Sequence, residues 1–297
     1  MSDISAQRQL PTNLHAILLM VVAMAGFALT DTLIRMATTR AGLGQIILLQ
    51  GVFGLIFYGA MMVHAGQRLT RDLITDRIVL FRISGDLIAV LFLTAALAVM
   101  PLGEMSALMQ TQPLVLTIAA VLFLREQVSW FRWAAVFVGF GGALIILRPG
   151  TDGFSAASLL VLGGVVGLTI RDLLTRVLPV RHETLSIATL STIAILIVGT
   201  AVHVVSGEAF VTDPNFLFLM FLSGSLGAFS YLAIIKSMRI GEISAVAPFR
   251  YSRLVTAFLA GYVLLGETPD AATLIGSALI VGAGLVVLYR ERKRKRA

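Results

Sequence analysis

The chain has 297 residues, of which 58% are hydrophobic and only 13% are charged, and its mean hydropathy is +0.93. Soluble domains average about 25% charged residues, so this composition excludes a soluble globular protein and predicts an integral membrane protein. Cysteine is absent, which excludes disulfides and thiolate metal sites, and no cofactor is expected.

The net charge of +7 is concentrated at the C-terminus, where six of the eight residues from Arg290 to Ala297 are basic. They directly follow an apolar run, a pattern that predicts an anchor facing anionic lipid in the cytoplasm rather than a nucleic-acid-binding tail. The first apolar run follows a polar segment without a small-residue cleavage pattern, so no cleaved signal peptide is expected.

Ten apolar runs follow one another, each long enough to cross the hydrocarbon core as a helix of about 20 residues. Short connections join them, and the lysines and arginines of these connections are concentrated on the side that also holds both termini. The other side holds only Arg40 and Arg148, so the positive-inside rule predicts that both termini are cytoplasmic. The sequence thus predicts an all-α integral membrane protein with ten transmembrane helices, at residues 14–36, 43–65, 78–99, 102–124, 131–148, 155–178, 184–206, 215–236, 243–265 and 271–289.

The two halves of the chain share a repeated pattern. MPLGEMSALM from Met100 matches MRIGEISAVA from Met238, and DTLIR from Asp31 matches DLLTR from Asp172. Five spans in each half is an odd number, so the second half must enter the membrane from the opposite face. We therefore predict two inverted five-helix repeats, 1–149 and 150–297, the second carrying the basic tail. Inverted repeats are typical of secondary transporters, with a duplicated structural bundle or a channel as the alternatives.

The strongest part of this repeat is QPLVLTIAAVLFLREQVSWF from Gln112 and its partner APFRYSRLVTAFLAGYVLLGET from Ala247. Each places a polar-interrupted fourth span, a glutamate in a short loop and a glycine-rich fifth span in the same order. In this pattern the chain resembles the EamA-type members of the drug/metabolite transporter superfamily over nearly its whole length. The resemblance implies a ten-helix bundle around a central cavity, with the fifth and tenth spans more peripheral. Its members carry amino acids, nucleotide-like compounds, vitamins or drugs.

Charged side chains within the spans are costly in hydrocarbon, so they face the bundle interior or water and usually have partners. Asp31 and Arg35 in the first span are four residues apart, as are Arg82 and Asp86 in the third. This spacing predicts a local ion pair in each span. The aspartates also permit proton coupling, and whether the protein is coupled or uncoupled stays open.

Arg171 and Asp172 in the sixth span are adjacent, which points them to different sides of the helix. We therefore expect each to find its partner elsewhere, as a gate contact or between helices. Together with the four charged residues of the first and third spans, they are the candidate coupling or gating residues.

Arg250 and Arg253 in the ninth span have no acidic residue within one turn. At 1.5 Å per residue, Arg250 lies near the midplane, and the spacing of three places both guanidinium groups on one helix face. Tyr251 follows Arg250, and Pro248 removes a backbone donor and loosens the helix. In the fourth span, Gln110 and Gln112 occupy the corresponding depth, next to a proline.

These residues form the predicted substrate site, in which Arg250, together with Arg253, holds the anionic group of a metabolite. The alternative is that one or both arginines neutralise Asp86 or Asp172 across the bundle. The glycine-rich stretches Gly139–Ala143 and Gly276–Gly284 predict close helix packing, within the bundle or in a homodimer.

The sequence as a whole predicts a secondary transporter of the bacterial inner membrane that moves a small anionic or zwitterionic metabolite by alternating access. The metabolite is expected to be amino-acid-, vitamin- or nucleotide-like. A passive channel, a structural membrane protein and a membrane enzyme are the alternatives. The enzyme needs an activated nucleophile, a metal cluster or an acid/base dyad, and no such pattern is found.

Overall fold

The computed structural model describes residues 2–125, 130–148, 157–179, 182–240 and 246–296, and these residues form helices and no strand. In chain order the elements are α1 (Ser2–Ala37), α2 (Leu43–His64), α3 (Arg71–Thr75), α4 (Arg77–Val99), α5 (Leu102–Met109), α6 (Gln112–Leu124), α7 (Trp130–Leu147), α8 (Ala157–Val177), α9 (Thr184–Ser206), α10 (Pro214–Ile240), a 3₁₀ helix (Ala247–Tyr251), α11 (Ser252–Leu265) and α12 (Ala271–Arg296).

Seven stretches of the described chain are long and apolar enough to cross a membrane. They coincide with the predicted spans one to four and six to eight. Predicted spans five and ten fall on the shorter apolar helices Trp133–Leu147 and Ala271–Val287. Span nine falls on the 3₁₀ helix and α11, and its first residues, within 241–245, lie outside the described residues. The structure is therefore an all-helical, multi-span membrane protein, and the count of ten stays a prediction.

The fourth and ninth predicted spans are both interrupted. Between α5 and α6, the hydroxyl of Thr111 donates a hydrogen bond to the carbonyl of Leu108 at 2.7 Å. In the second half, the 3₁₀ helix precedes α11. Pro113 stands at the start of α6, and Pro248 at the start of the 3₁₀ helix, where each lacks the N–H that a continuous α-helix needs. The loosening expected at Pro248 is thus seen as a change of helix type.

The ends of these two spans fix the register between the halves. Arg125 caps the C-terminus of α6 and Gly266 caps that of α11, and both residues have left-handed backbone conformations, with φ of 53° and 67°. They are separated by the same number of residues as the DTLIR and DLLTR segments. In this register, Gln112 corresponds to Arg253, which is three residues from the match that MPLGEMSALM alone suggests.

The helices pack in pairs that repeat between the halves. α1 packs most extensively on α10 and α8 on α4, while α1 also packs on α11 and α8 on α6. α2 packs on α9, and α7 on α12. The counterparts in the two halves are α1 and α8, α2 and α9, α4 and α10, α6 and α11, and α7 and α12. When each helix is replaced by its counterpart, every one of these packed pairs becomes another packed pair or stays the same pair.

Glycines let the backbones of α4 and α8 touch. A Cβ atom on Gly85 would lie 2.7 Å from the backbone nitrogen of Arg171 and from the carbonyl oxygen of Gly167. A Cβ on Gly167 would lie 2.6 Å from the backbone nitrogen of Ala89. Contacts this short exclude any side chain, so these glycines hold the charged residues of α4 directly against those of α8.

The predicted glycine-rich faces pack on each other within the chain. A Cβ on Gly142 would lie 2.6 Å from the carbonyl oxygen of Gly276, and a Cβ on Gly276 would lie 2.5 Å from that of Gly142. A Cβ on Gly141 or Gly282 would meet no atom within 4 Å. Packing within the bundle therefore accounts for the first two glycines, and the homodimer stays a prediction.

Candidate functional site

Arg82 of α4 is held by three side chains in the bundle interior. Its Nη1 donates to Asp86 Oδ2 at 2.8 Å, which is the ion pair expected from their spacing. Its Nε donates to Thr175 at 3.0 Å, and Nη1 also reaches Ser191 at 3.2 Å. The hydroxyl of Ser191 in turn donates to Asp86 Oδ2 at 2.8 Å. Arg82 is buried, so these bonds replace its hydration.

Arg171 and Asp172 of α8 pair with each other, since Arg171 Nε lies 2.8 Å from Asp172 Oδ1. The prediction that they point apart was wrong, because the long arginine stem lets the guanidinium reach back to its neighbour. The partners expected on other helices are present as well, since Asp172 accepts a hydrogen bond from Gln112 of α6. Arg171 also lies 3.9 Å from Asp86, which joins the pairs of α4 and α8. We call Arg82, Asp86, Arg171 and Asp172 the central network. The side chains of Arg171 and Asp172 are 26% and 23% exposed, although α4 and α6 pack on α8.

Asp31 of α1 pairs with Arg253 of α11, not with Arg35. Arg253 Nη2 donates to Asp31 Oδ2 at 2.6 Å, and its guanidinium lies 5.5 Å from the centre of the Phe27 ring. The local pair predicted from the spacing of four residues was therefore wrong. Arg253 neutralises a buried aspartate, as one alternative expected, but the aspartate is Asp31 rather than Asp86 or Asp172.

Arg35 instead joins three segments near the end of α1. It donates to the carbonyl of Leu97 at 2.7 Å, and its Nε lies 3.6 Å from Glu267 Oε1. The other oxygen of Glu267 accepts a hydrogen bond from the backbone N–H of Leu102 at 2.7 Å. Arg35 therefore ties α1 to the ends of α4, α5 and α11.

The two halves repeat one contact. Asp172 Oδ2 accepts a hydrogen bond from Gln112 Nε2 at 2.6 Å, and Asp31 accepts one from Arg253 at 2.6 Å. In the register set by the ends of α6 and α11, Asp31 corresponds to Asp172 and Gln112 to Arg253. The contact is between a neutral amide and a carboxylate in the first half, and between two charges in the second.

Arg250, at the end of the 3₁₀ helix, is half-buried. In the described part of the chain its side chain has no hydrogen bond and no ion pair, although the charges of Asp172, Arg171 and Arg253 act on it. Its counterpart in the first half is the buried, uncharged Met109.

Of the other predicted substrate residues, Gln110 has an amide nitrogen that is buried without a partner among the described residues. Tyr251 packs on α12, because a Cβ on Gly284 would lie 1.6 Å from its hydroxyl oxygen. Gln112 and Arg253 are already bonded to aspartates. Within the described ranges, the structure thus leaves the guanidinium of Arg250, the amide nitrogen of Gln110 and the Nε of Arg253 without a hydrogen-bond partner.

Two tyrosines that the sequence analysis did not single out border the central network. Tyr58 of α2 and Tyr231 of α10 form a T-shaped ring pair, with centroids 5.9 Å apart and an interplanar angle of 81°. The charge of Asp86 acts on both. A single tyrosine in an apolar span forms no motif with other residues of the sequence. Its hydroxyl group among apolar neighbours is the one feature that could have singled it out as a candidate site residue.

The described residues contain no group of three or more histidine, aspartate or glutamate side chains placed to hold a metal ion. The site consists instead of paired charges, one unpaired arginine and two tyrosines inside a bundle of apolar helices. Such an arrangement can hold a polar solute within the bilayer.

The class of protein is therefore a multi-span membrane transporter. Its family is equally plain: the chain belongs to the EamA-like transporter family, whose model matches residues 14–148 and 155–289. This confirms the resemblance found in the sequence, and the chain is a transporter rather than an enzyme.

Named relatives carry small metabolites. The chain is 26% identical over 287 residues to the S-adenosylmethionine uptake transporter of Rickettsia prowazekii (strain Madrid E), which covers 96% of both chains. It is 33% identical over 204 residues to the riboflavin transporter of Rhizobium johnstonii, covering 68% of this chain and 67% of that one. A solved crystal structure with 18% identity shares the fold, with a TM-score of 0.64 over 94% of this chain and 98% of that chain.

Proposed function

We propose that the protein is a secondary transporter that moves a small anionic or zwitterionic metabolite by alternating access, with Arg250 binding the acidic group of the substrate. Its place is the bacterial inner membrane, with both termini in the cytoplasm. The S-adenosylmethionine uptake transporters among the relatives favour import. The substrate is amino-acid-, vitamin- or nucleotide-like.

The unpaired charge of Arg250 carries the proposal. Every other arginine of the predicted spans whose side chain the structure describes has a carboxylate partner, in the pairs Arg35–Glu267, Arg82–Asp86, Arg148–Asp270, Arg171–Asp172 and Arg253–Asp31. An unpaired charge inside a membrane protein costs several kcal/mol on insertion scales, about 2.5 to 3.5. A substrate that brings its own acid offsets this cost while it is bound.

The charges around Arg250 favour an anion. The central network contains two arginines and two aspartates, so it is neutral as a whole. Arg250 adds one positive charge beside Asp172, and its fork of N–H donors matches the two oxygens of a carboxylate or phosphate. Gln110 contributes an unpartnered amide from the other half.

Alternating access is supported by the equivalence of the two halves. The family model matches each half separately, and the helix pairs repeat when the halves are exchanged. The fourth span and its counterpart are both interrupted beside the charged residues, as in transporters that bind substrate where helices are broken. Two similar halves in inverted orientation give two packings of similar energy, one open to each side of the membrane.

The basic tail is proposed to bind anionic lipid on the cytoplasmic side. Arg290 lies 4.0 Å from the centre of the Phe131 ring, so the last helix is held against α7 where the tail begins. The side chains of residues 291–297 lie outside the described residues. A homodimer through the glycine-rich helices is a further part of the proposal, for which Gly141 and Gly282 have free space beside them.

Counterflow in proteoliposomes tests the proposal. Vesicles loaded with unlabelled S-adenosylmethionine should accumulate labelled S-adenosylmethionine from outside, saturably and transiently. Arg250→Ala should raise the half-saturating concentration about 10- to 150-fold, because it removes a charged hydrogen bond that contributes about 1.5–3 kcal/mol. Arg71→Ala, an exposed arginine of α3, is the matched control and should leave transport unchanged.

If S-adenosylmethionine is not carried, the same two variants are compared by thermal stabilisation against a panel of carboxylates, phosphates and neutral metabolites. Acids should stabilise the parent protein and the Arg71→Ala control, but not Arg250→Ala. Equal stabilisation of all three proteins would show that Arg250 does not bind the acid. A steady ion conductance without counterflow would identify a channel instead.

A further inference from the structure

We infer that Tyr58 and Tyr231 form a ring-binding subsite beside Arg250, so that the substrate is a metabolite that carries both a planar aromatic ring and an acidic group. This rests on the proposed function and narrows its substrate class. The inference comes from the placement of the two tyrosines, which come from different halves of the chain and meet inside the bundle.

The geometry of the pair leaves ring surface available. The rings of Tyr58 and Tyr231 meet edge to face, and the neighbouring Phe57 also meets Tyr58 at a steep angle, with centroids 5.8 Å apart and 89° between the planes. In an edge-to-face pair each ring keeps a face that its partner does not cover. Tyr58 and Tyr231 are half-buried, so part of each ring is open to contact.

The polar surroundings separate this pair from ordinary core packing. Neither tyrosine belongs to the apolar core clusters. Neither hydroxyl has a hydrogen-bond partner within the described ranges, whereas the hydroxyl of an interior tyrosine usually has one. The charges of Asp86 act on both rings, and those of Arg171 and Asp172 act on Tyr231. The pair therefore offers ring faces and open hydroxyls at the edge of a charged network.

The same two charges connect the tyrosines to Arg250. The charges of Arg171 and Asp172 reach both Arg250 and Tyr231, so the unpaired arginine and the aromatic pair lie within electrostatic range of the same ion pair. A purely aliphatic acid fills the Arg250 part of this space and leaves the ring surfaces uncovered. A small molecule with a ring at one end and an acid at the other fills both.

Binding of matched probes to the purified protein tests the inference. S-adenosylmethionine contains a purine ring and an amino-acid carboxylate, and methionine and adenosine each contain one of these parts. Flavin mononucleotide and riboflavin form a second pair, which differs in the phosphate. Thermal stabilisation should show that at least one ring-bearing acid binds at least tenfold more tightly than the part that lacks the ring or the acid. The inference is overturned if neither ring-bearing acid binds more tightly than its parts.

Variants of the tyrosines separate a binding role from a structural one. Tyr58→Leu and Tyr231→Leu remove the rings and should raise the half-saturating concentration of the ring-bearing acid about fivefold, since an aromatic pair contributes about 0.5–1.5 kcal/mol. They should leave methionine binding and the unfolding temperature without ligand unchanged. Tyr58→Phe and Tyr231→Phe keep the rings and should restore most of the affinity.

The two proposals fail in different ways. If Arg250→Ala abolishes binding of every acid while both leucine variants bind like the parent protein, the ring subsite is wrong and the proposed function stands. If the leucine variants lose affinity while Arg250→Ala does not, the acid-binding role of Arg250 is wrong and the ring subsite stands.

Discussion

Breaking the ion pair between Asp31 and Arg253 should destabilise the fold more than breaking a comparable surface pair. The two side chains are only 13% and 18% exposed, and their atoms meet at 2.6 Å. In Arg253→Met, Asp31 loses its partner. Removing one member of a buried pair costs about 3–5 kcal/mol, and the partial exposure here favours about 3 kcal/mol.

A double-mutant cycle measures this interaction. Asp31→Asn should destabilise the fold as well, because it leaves the charge of Arg253 without its partner. The double variant Asp31→Asn/Arg253→Met should be more stable than the sum of the single losses predicts, by about 1–3 kcal/mol. Unfolding in mixed detergent, followed by circular dichroism, provides the free energies.

The matched control is the exposed pair Arg40–Asp213, whose atoms are 3.9 Å apart and whose side chains are 45% and 47% exposed. Arg40→Met should cost no more than about 1 kcal/mol. A loss in Arg253→Met as small as that of Arg40→Met, or a cycle with no coupling energy, would refute the assignment of a buried, partnered Arg253.

Two further predictions concern helix packing and pH. Gly85→Ala should lower the free energy of unfolding by about 1–3 kcal/mol, because its Cβ would lie 2.7 Å from the carbonyl oxygen of Gly167. Gly141→Ala is the control and should not destabilise the protein, because its Cβ would meet no atom within 4 Å. Unfolding in mixed detergent measures both variants. A hydrogen bond from the backbone N–H of Thr273, together with the side chain of Arg148, lowers the pKa of Asp270 to about 2. Its contribution to stability is therefore present above the unfolded pKa of about 3.9 and lost as the pH falls towards 2, so the unfolding temperature should drop over this range, and less steeply in Asp270→Asn.

The positions of the helices could be predicted from the sequence, because an apolar run of about 20 residues is typical of a membrane-spanning helix. The partners of the charged residues were harder to predict. The pair Arg82–Asp86 follows from helix spacing, but Arg253 reaches Asp31 on a helix 222 residues away, and no local pattern indicates that contact. Long arginine stems also override simple helix geometry, as Arg171 does.

The register between the halves was a second limit. MPLGEMSALM and its partner match well, but the interruption that follows contains three more residues in the second half. Sequence similarity upstream of an interrupted helix therefore aligns Gln112 with Arg250, while the helix ends downstream align it with Arg253. The backbone conformation at the ends of α6 and α11 agrees with the spacing of DTLIR and DLLTR and so supports the second alignment.

The register between the halves distinguishes Arg250 from Arg253. A contact that recurs in both halves, as Asp31–Arg253 and Asp172–Gln112 do, serves the packing that the halves have in common. A charge found in one half only, beside an existing ion pair and without a partner among the described residues, has no such role. Arg250 is that charge, with Met109 in its place in the other half. The symmetry of the fold therefore separates the arginine that holds helices together from the arginine that is free to hold a substrate.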